Sequence, residues 1–317
     1  MKSRRAFALM AALWLLVAIS AISLEISVLA RSRRLAAANS LEGMHADAAA
    51  ESGIEHARAR LARAIAEGGT GRTWGDPAAV LDPWHSLDVG LRDSIEMTPG
   101  LWYRVQLADL GGKVDVNRAS EDDLRRFLTA NDLDAAVADG LAEAIMDWRD
   151  EDDFRRLRGA EREDYMKAGA RELPRNAPLE SIDELRFVRG MTPALLAKLR
   201  GDLTVFGGGQ INLNVADRNV LLSLPGITPL AAEVIVRVQQ SGRRIQTMQQ
   251  LTDMLPTQAR GPLERSMTDL LPKVTFDTHE VLVTSDGWMA GSPVRARELA
   301  VLARGGSAAF VTWRQDQ

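Results

Sequence analysis

Cysteine is absent from this chain of 317 residues, so disulfides, thiol chemistry and cysteine-based zinc sites are excluded. An excess of basic charge is also lacking, because the formal net charge is −4 and the pI is about 5.7. Nucleic-acid binders usually carry a basic patch or a high pI, so no nucleic-acid partner is expected. The chain has no nucleophile elbow and no P-loop, and its four histidines show no zinc spacing. The sequence therefore predicts a protein that is not an enzyme.

What the chain does have is a long apolar segment at its N-terminus. Residues 6–24 carry no charge, and three basic residues at positions 2, 4 and 5 precede them. A membrane-spanning helix needs roughly 20 apolar residues, whereas the core of a secretory signal has about 7–15. We therefore expect a transmembrane helix that continues into an alanine-rich amphipathic helix. Ile54, Ala57, Leu61 and Ile65 repeat there at helical spacing and mark one face.

The rest of the chain divides by pattern into strands around a helical block. Residues 72–100 are rich in proline, glycine and aspartate and predict a loop. Apolar alternation at 102–107 and 114–116, on either side of a glycine turn, predicts a hairpin. β-Prone runs at 280–284, 297–302 and 309–313 predict an antiparallel meander. Because strands precede and follow the helical stretch, we interpret that stretch as an insertion in one α+β domain.

The helical block contains two internal sequence echoes. Residues 111–119 (GGKVDVNRA) are echoed by 208–216 (GGQINLNVA), each a glycine turn, a strand, an asparagine and a helix start. Residues 188–193 and 224–229 each place glycine and then Thr-Pro between two short helices. The second turn is similar to a helix-hairpin-helix, whose N–H groups can bind a phosphate. We interpret it as a packing unit, and the alternative is a membrane-tethered DNA-binding protein of an uptake system.

The main candidate site is the acidic run that begins at Asp147. Residues 147–164 contain eight carboxylates and five arginines, and such a cluster repels itself unless it is neutralised. Calcium takes six to eight oxygen ligands, commonly from clustered aspartate and glutamate. Phe154 and Arg155 stand where an EF-hand needs an acidic residue and a glycine, so this is not an EF-hand. The alternative is a solvated acidic face that pairs with Arg155, Arg156 and Arg158.

Taken together, these segments resemble the K-type minor pseudopilins of the bacterial type II secretion system. The likeness depends on the order and spacing of several pieces, which are FALMAALWLLVAIS, AESGIEHARARL, GGKVDVNRAS, DWRDEDD, GAEREDY, PLESIDELRFVRGM, GGGQINLNVA and FVTWR. The resemblance implies an α+β, pilin-like fold, in which a long transmembrane and amphipathic helix packs on an antiparallel sheet and carries a large α-helical insertion domain. The implied parts are a leader at 1–6, a transmembrane helix at 7–30, a pilin-like domain at 31–117 and 274–317, and an insertion at 118–273.

The resemblance also implies a function and a location. The protein would sit at the tip of the secretion pseudopilus with the I-type and J-type minor pseudopilins and the major pseudopilin. It would cross the inner membrane once, with its folded part in the periplasm. A signal-anchored periplasmic enzyme is a further alternative, although the chain shows no catalytic set of residues.

Two kinds of site residue follow from the resemblance alone. Prepilin peptidase would cut between Ala6 and Phe7, and the new N-terminus would be methylated. Most pilin-like substrates have glycine where this chain has Ala6, and most pilins have glutamate where it has Ala11. K-type members similarly lack that glutamate, which the family associates with the filament tip. The resemblance finally implies a calcium ion in the helical domain, with four ligands: Asp147, Asp150, Asp152 and Glu161.

Overall fold

The computed structural model describes the backbone of residues 2–68, 94–305 and 308–316. The side chains at 2–12, 18, 64–68 and 316 lie outside the described part. Most of the loop predicted at 72–100 also falls outside it, but residues 95–98 form a strand.

The described chain alternates a few long elements with many short ones. Its helices are α1 (Lys2–Gly68), α2 (Glu121–Ala130), α3 (Ala135–Arg149), α4 (Arg162–Lys167), α5 (Pro193–Leu199), α6 (Arg218–Leu221), α7 (Pro229–Gln240), α8 (Met248–Met254), α9 (Thr257–Arg265) and α10 (Met267–Leu270). Its strands are β1 (Ile95–Thr98), β2 (Leu101–Asp109), β3 (Val114–Asp115), β4 (Leu203–Thr204), β5 (Ile211–Asn212), β6 (Val274–Thr275), β7 (Glu280–Met289), β8 (Arg295–Gly305) and β9 (Ala308–Asp316).

Helix α1 is one continuous element of 67 residues with two different environments. Its first part exposes large apolar side chains, such as Trp14 at 72% and Leu24 at 67%. The described part of this helix has an apolar window of mean hydropathy 2.2 that is not buried at all, so it is long and apolar enough to cross a membrane. Further along, Ile54 and Leu61 are fully buried against the sheet. The predicted change from an apolar to an amphipathic helix is therefore confirmed.

The sheet that receives α1 has five strands in the order β1-β2-β7-β8-β9, and every neighbouring pair is antiparallel. The meander predicted at the C-terminus is thus confirmed. Close packing of α1 requires glycine at one point of this sheet. A Cβ atom at Gly287 would overlap the backbone of Ala46 and Ala50 in α1, so any other residue would push the helix away. Helix and sheet together form the predicted pilin-like unit.

The hairpin predicted between 102–107 and 114–116 is wrong. Strand β2 pairs with β1 and β7, whereas β3 pairs in parallel with β4. After β2 the chain passes into the insertion, and the Asp109 carboxylate there accepts hydrogen bonds from the Gly111 N–H and from the Thr278 hydroxyl, which precedes β7. The predicted domain boundaries also shift slightly. Strands β3 and β6 both pair inside the insertion, which therefore starts before residue 118 and ends after residue 273.

The insertion is built from two similar units, and this explains the first sequence echo. In the first unit the Asn117 amide donates to the carbonyls of Leu179 and Val205 and accepts from the Leu179 N–H. In the second unit Asn214 makes the same three bonds with the backbone of Ile245 and Phe276. Each asparagine thus joins three separate segments of its unit.

The Thr-Pro turns of the second echo are packing turns. Thr192 and Thr228 cap the helices that follow them, α5 and α7. Gly226 has φ +74, and a Cβ atom there would press against the carbonyl of Pro262 and the side chain of Ser266. Since the neighbouring Ile227 is only 6% exposed, this turn faces the protein interior and not solvent.

Candidate functional site

The acidic cluster is built around the C-terminal end of α3. Trp148 is 1% exposed, and its ring meets Tyr165 edge-on at 5.2 Å and stacks on Phe187 at 6.5 Å. These contacts fix the last turn of α3. As a result Asp147 is fully buried, and Asp150, which ends the helix, lies on the rim. The chain then loops back so that Glu161, just before α4, faces them.

Three of the four predicted ligands come together. Carboxylate oxygens of Asp150, Asp152 and Glu161 all lie within 4.8 Å of one another. Glu161 is 4% exposed, yet neither of its carboxylate oxygens has a hydrogen-bond partner in the part of the chain that the structure describes. One oxygen of Asp150 is buried without a partner in the same way. Burial first, and then repulsion from the neighbouring aspartates, raises the pKa of Glu161 to about 7.

Asp147 is in a different situation, because Arg156 neutralises it. One guanidinium nitrogen of Arg156 lies 2.6 Å from Asp147 and 2.6 Å from Asp150. The Arg156 backbone N–H also donates to Asp147, at 3.2 Å. Burial raises the pKa of Asp147, although the bonds from Arg156 offset part of that effect. A Cβ atom at Gly159 would overlap the Asp147 carboxylate, so the segment closes tightly over this pair.

Two further arginines of the segment, Arg155 and Arg158, pair with acids outside the group of three. Arg155 lies 3.2 Å from Asp164, and Arg158 lies 2.6 Å from Asp139 in α3. Arginine pairing therefore accounts for Asp147, Asp164, Asp139 and one oxygen of Asp150. It leaves the carboxylate of Glu161 without a positive partner among the described residues.

One residue of the cluster gave no signal in the sequence. The Asn176 amide donates to the backbone carbonyl of Asp152 at 2.9 Å and to the carboxylate of Asp153 at 3.0 Å. Its own side-chain oxygen is buried and has no partner among the described residues. Asn176 follows Asp152 by 24 residues in the sequence, and only the fold brings the two together.

The predicted processing residues Ala6 and Phe7 lie in the first turns of α1. Their side chains lie outside the described part of the chain.

The first part of the long helix α1 is apolar and exposed, and its second part packs on an antiparallel sheet that carries a helical insertion at one end. This arrangement is that of a pilin-like protein. The family described as type II secretion system (T2SS), protein K, matches residues 104–208, which include the whole acidic cluster. The chain is also 36% identical over 87 residues to the type II secretion system protein K of Klebsiella pneumoniae. That alignment covers 26% of this chain, and the chain spans about a quarter of the relative's length (27%). The resemblance to the K-type family is thus confirmed over the matched residues.

A solved structure has the same fold over most of its length. It is the crystal structure of the GspK-GspI-GspJ complex from the type 2 secretion system of enterotoxigenic Escherichia coli. The matched chain has a TM-score of 0.67 and 20% sequence identity, and the match covers 90% of this chain and 99% of that one. The α+β, pilin-like fold predicted from the sequence is therefore confirmed.

Proposed function

We propose that this protein is a minor pseudopilin at the tip of a type II secretion pseudopilus, where it helps to initiate or cap the filament during protein export. The observation that carries the proposal is the division of α1. Its first part exposes an apolar surface, while its second part is the core helix of a pilin-like domain. A helix of this kind can leave a membrane and pack lengthwise against the same helix of other subunits.

The shape of the insertion supports a position at the tip. It connects to the sheet through the end of β2 and the start of β7. The start of α1 lies at the other end of the sheet, because Glu42 of α1 accepts a hydrogen bond from Ser292 after β7. A domain of this size at the far end would obstruct a subunit stacked above it. Ala11 also supports the tip, since a charge in lipid is costly unless a neighbouring subunit supplies a partner.

The proposed partners are the I-type and J-type minor pseudopilins and the major pseudopilin. The match to a chain from a complex of GspK, GspI and GspJ supports this choice. The proposed location is the inner membrane, crossed once by α1, with the folded part in the periplasm. The role is structural, which fits a family named for a secretion-system component.

Calcium is the proposed ligand of the acidic cluster. The residues fit the ion, because Glu161 and Asp150 offer buried oxygens without partners and Asp152 contributes a third carboxylate. Asn176 donates its amide to the Asp152 carbonyl, and its own side-chain oxygen has no partner among the described residues. Asp147, the fourth ligand predicted from the sequence, would contribute to the site by holding Arg156 in place. A bound ion would neutralise the group and fix the segment between α3 and α4.

The DNA-binding alternative is not favoured. Its candidate turn at Gly226 is packed against α9 and α10, so its backbone N–H groups do not face solvent as phosphate binding requires. A duplex-DNA gel shift at low salt tests this point, and we expect no shift.

The experiment that tests the proposed function is N-terminal mass analysis after co-expression with and without prepilin peptidase. We expect loss of residues 1–6 and a methylated Phe7, only when the peptidase is present. Phe7→Ala is a suitable control for methylation. In this variant, cleavage after Ala6 can be measured separately from methylation of residue 7. A cut near residue 30, or no cut in either culture, would contradict the assignment.

A further inference from the structure

The face of the sheet that points away from α1 carries a cluster of arginine and tryptophan. Side chains alternate along β7, so that Gly287 faces α1 while Asp286 and Trp288 point to the opposite side. Arg104 of β2 and Arg297 of β8 are the direct cross-strand neighbours of Asp286. Trp102 and Arg295 flank Trp288 in the next row: Trp102 on β2 and Arg295 on β8. We call these six residues the Arg–Trp face.

The insertion covers the upper part of this side of the sheet but not the Arg–Trp face. Phe206 of the insertion meets Trp313 of β9 at 4.4 Å, and Val301 beside it is only 2% exposed. Nearer the end of β7, the described residues form an open depression of about 630 Å³ that is lined by Arg104, Trp288 and Arg297. The side chains of Arg104 and Arg297 are 48% and 53% exposed.

The Arg–Trp face has a surplus of positive charge. Arg297 donates to Asp286 at 2.8 Å, and Arg104 lies 3.4 Å from the same carboxylate. These bonds hold the pKa of Asp286 below its usual value, even though burial alone would raise it. Arg295 lies 5.5 Å over the Trp288 ring, and within the described part of the chain it donates to the backbone carbonyls of Ser292 and Val294 and to no carboxylate. Among these six residues, three guanidinium groups therefore share one carboxylate, on a chain whose net charge is −4. Glu96, the cross-strand neighbour of Trp102, accepts a hydrogen bond from the Gly100 N–H.

We propose that the Arg–Trp face binds an acidic segment of a partner protein, one that carries at least two carboxylates beside an apolar side chain. Asp286 holds Arg104 and Arg297 side by side, so their planar groups are already placed to bind carboxylates. Arginine and tryptophan are also the residues that most often dominate protein interfaces. Two surplus charges are too few to hold a polyanion, because nucleic-acid binding usually neutralises about 6–10 phosphates.

The test uses the purified full chain in detergent micelles and two labelled peptides. One has the sequence Glu-Trp-Glu-Glu-Leu-Glu, and the other has glutamine in place of every glutamate. We expect the acidic peptide to bind and the glutamine peptide not to bind. In the double variant Arg104→Gln and Arg297→Gln, affinity for the acidic peptide should fall about fivefold or more, the size expected for the loss of two exposed charge pairs.

The matched control is the double variant Arg175→Gln and Arg200→Gln. These arginines are also exposed and paired with acids, Arg175 with Glu180 and Glu184 and Arg200 with Asp183, but they lie on the insertion. We expect this control to bind the acidic peptide like the unaltered chain. Arg295→Gln gives a second test that breaks no ion pair with Asp286, and it should weaken binding about twofold or more.

Four results would overturn the proposal. They are no binding of the acidic peptide, equal binding of the glutamine peptide, the same loss in the control variant, and tighter binding to duplex DNA than to the peptide. The last result would mean that the face recognises anionic surfaces in general and not a protein segment.

Discussion

Replacing Glu161 by glutamine tests the acidic cluster most directly. Folding without an ion favours the protonated form of Glu161, whereas calcium would bind its ionised form. The folded pKa of about 7 lies above the ordinary value of 4.5. Without an ion, folding therefore favours the protonated form, and this contribution to stability is complete below about pH 4.5 and is lost as the pH rises through 7. At pH 8 the charged carboxylate costs up to about 3 kcal/mol, from a shift of about 2.5 units at 1.36 kcal/mol each.

Glu161→Gln removes that cost and keeps the shape of the side chain. At pH 8 with a chelator present, the free energy of opening of residues 145–170 should rise by about 3 kcal/mol, which corresponds to roughly a hundredfold slower amide hydrogen exchange. The variant should also lose the pH dependence between 4.5 and 7. Calcium, by contrast, binds the ionised form, so it should protect the unaltered chain increasingly above pH 7 and protect the variant little.

The measurement is hydrogen exchange followed by mass spectrometry, at pH 6 and pH 8, with calcium or with a chelator. Glu163→Gln is the matched control, because this glutamate lies two residues away, is 74% exposed and pairs only with Lys167. The Glu163→Gln variant should exchange its amide hydrogens like the unaltered chain. Equal exchange in Glu161→Gln and Glu163→Gln, or calcium protection of Glu161→Gln as strong as that of the unaltered chain, would contradict this prediction.

Further predictions concern the packing of α1 on the sheet and the asparagine contacts of the two units of the insertion. Gly287→Ala should destabilise the sheet by about 3 kcal/mol or more, because its Cβ meets the backbone of α1, whereas Gly43→Ala, which meets nothing within 4 Å, should stabilise α1 by up to about 1 kcal/mol. Urea unfolding distinguishes these two outcomes, and equal effects would contradict them. Asn117→Ala and Asn214→Ala should each cost about 2–4 kcal/mol, since each removes three hydrogen bonds. Hydrogen exchange should report each loss in its own unit of the insertion, and a loss in the other unit would refute the assignment of two units.

The sequence predicts the regular parts of this fold because their signals are local. Apolar content marks the exposed part of α1, and two-residue alternation marks β7, β8 and β9. It mispredicts the hairpin because strand pairing is not local. Strand β3 pairs with β4, nearly ninety residues later in the chain, and no pattern near β3 indicates that partner.

The same distinction applies to the acidic cluster. Composition indicates a group of carboxylates, but it does not say which of them an arginine neutralises. Asp147 and Glu161 are both acidic residues of the same run, and only the fold pairs the first with Arg156 and leaves the second without a partner among the described residues. Asn176 could not be predicted as a member of the cluster. Its own backbone has a positive φ of +51, and its amide donates to the Asp152 carbonyl from that turn.

The two units of the insertion show where the acidic cluster stands in the architecture. In the second unit, α7 ends at Gln240 and the chain reaches the asparagine-bound Ile245 after a short turn. In the first unit, α3 ends at Arg149 and the corresponding Leu179 comes much later, so the acidic segment is an addition at this point. Since the second unit has the same asparagine contacts without such a segment, the contacts do not depend on the carboxylates. A chelator should therefore loosen residues 150–178 and leave the exchange of β3 and β4 unchanged, whereas unfolding of the whole unit would show that the ion is part of its core.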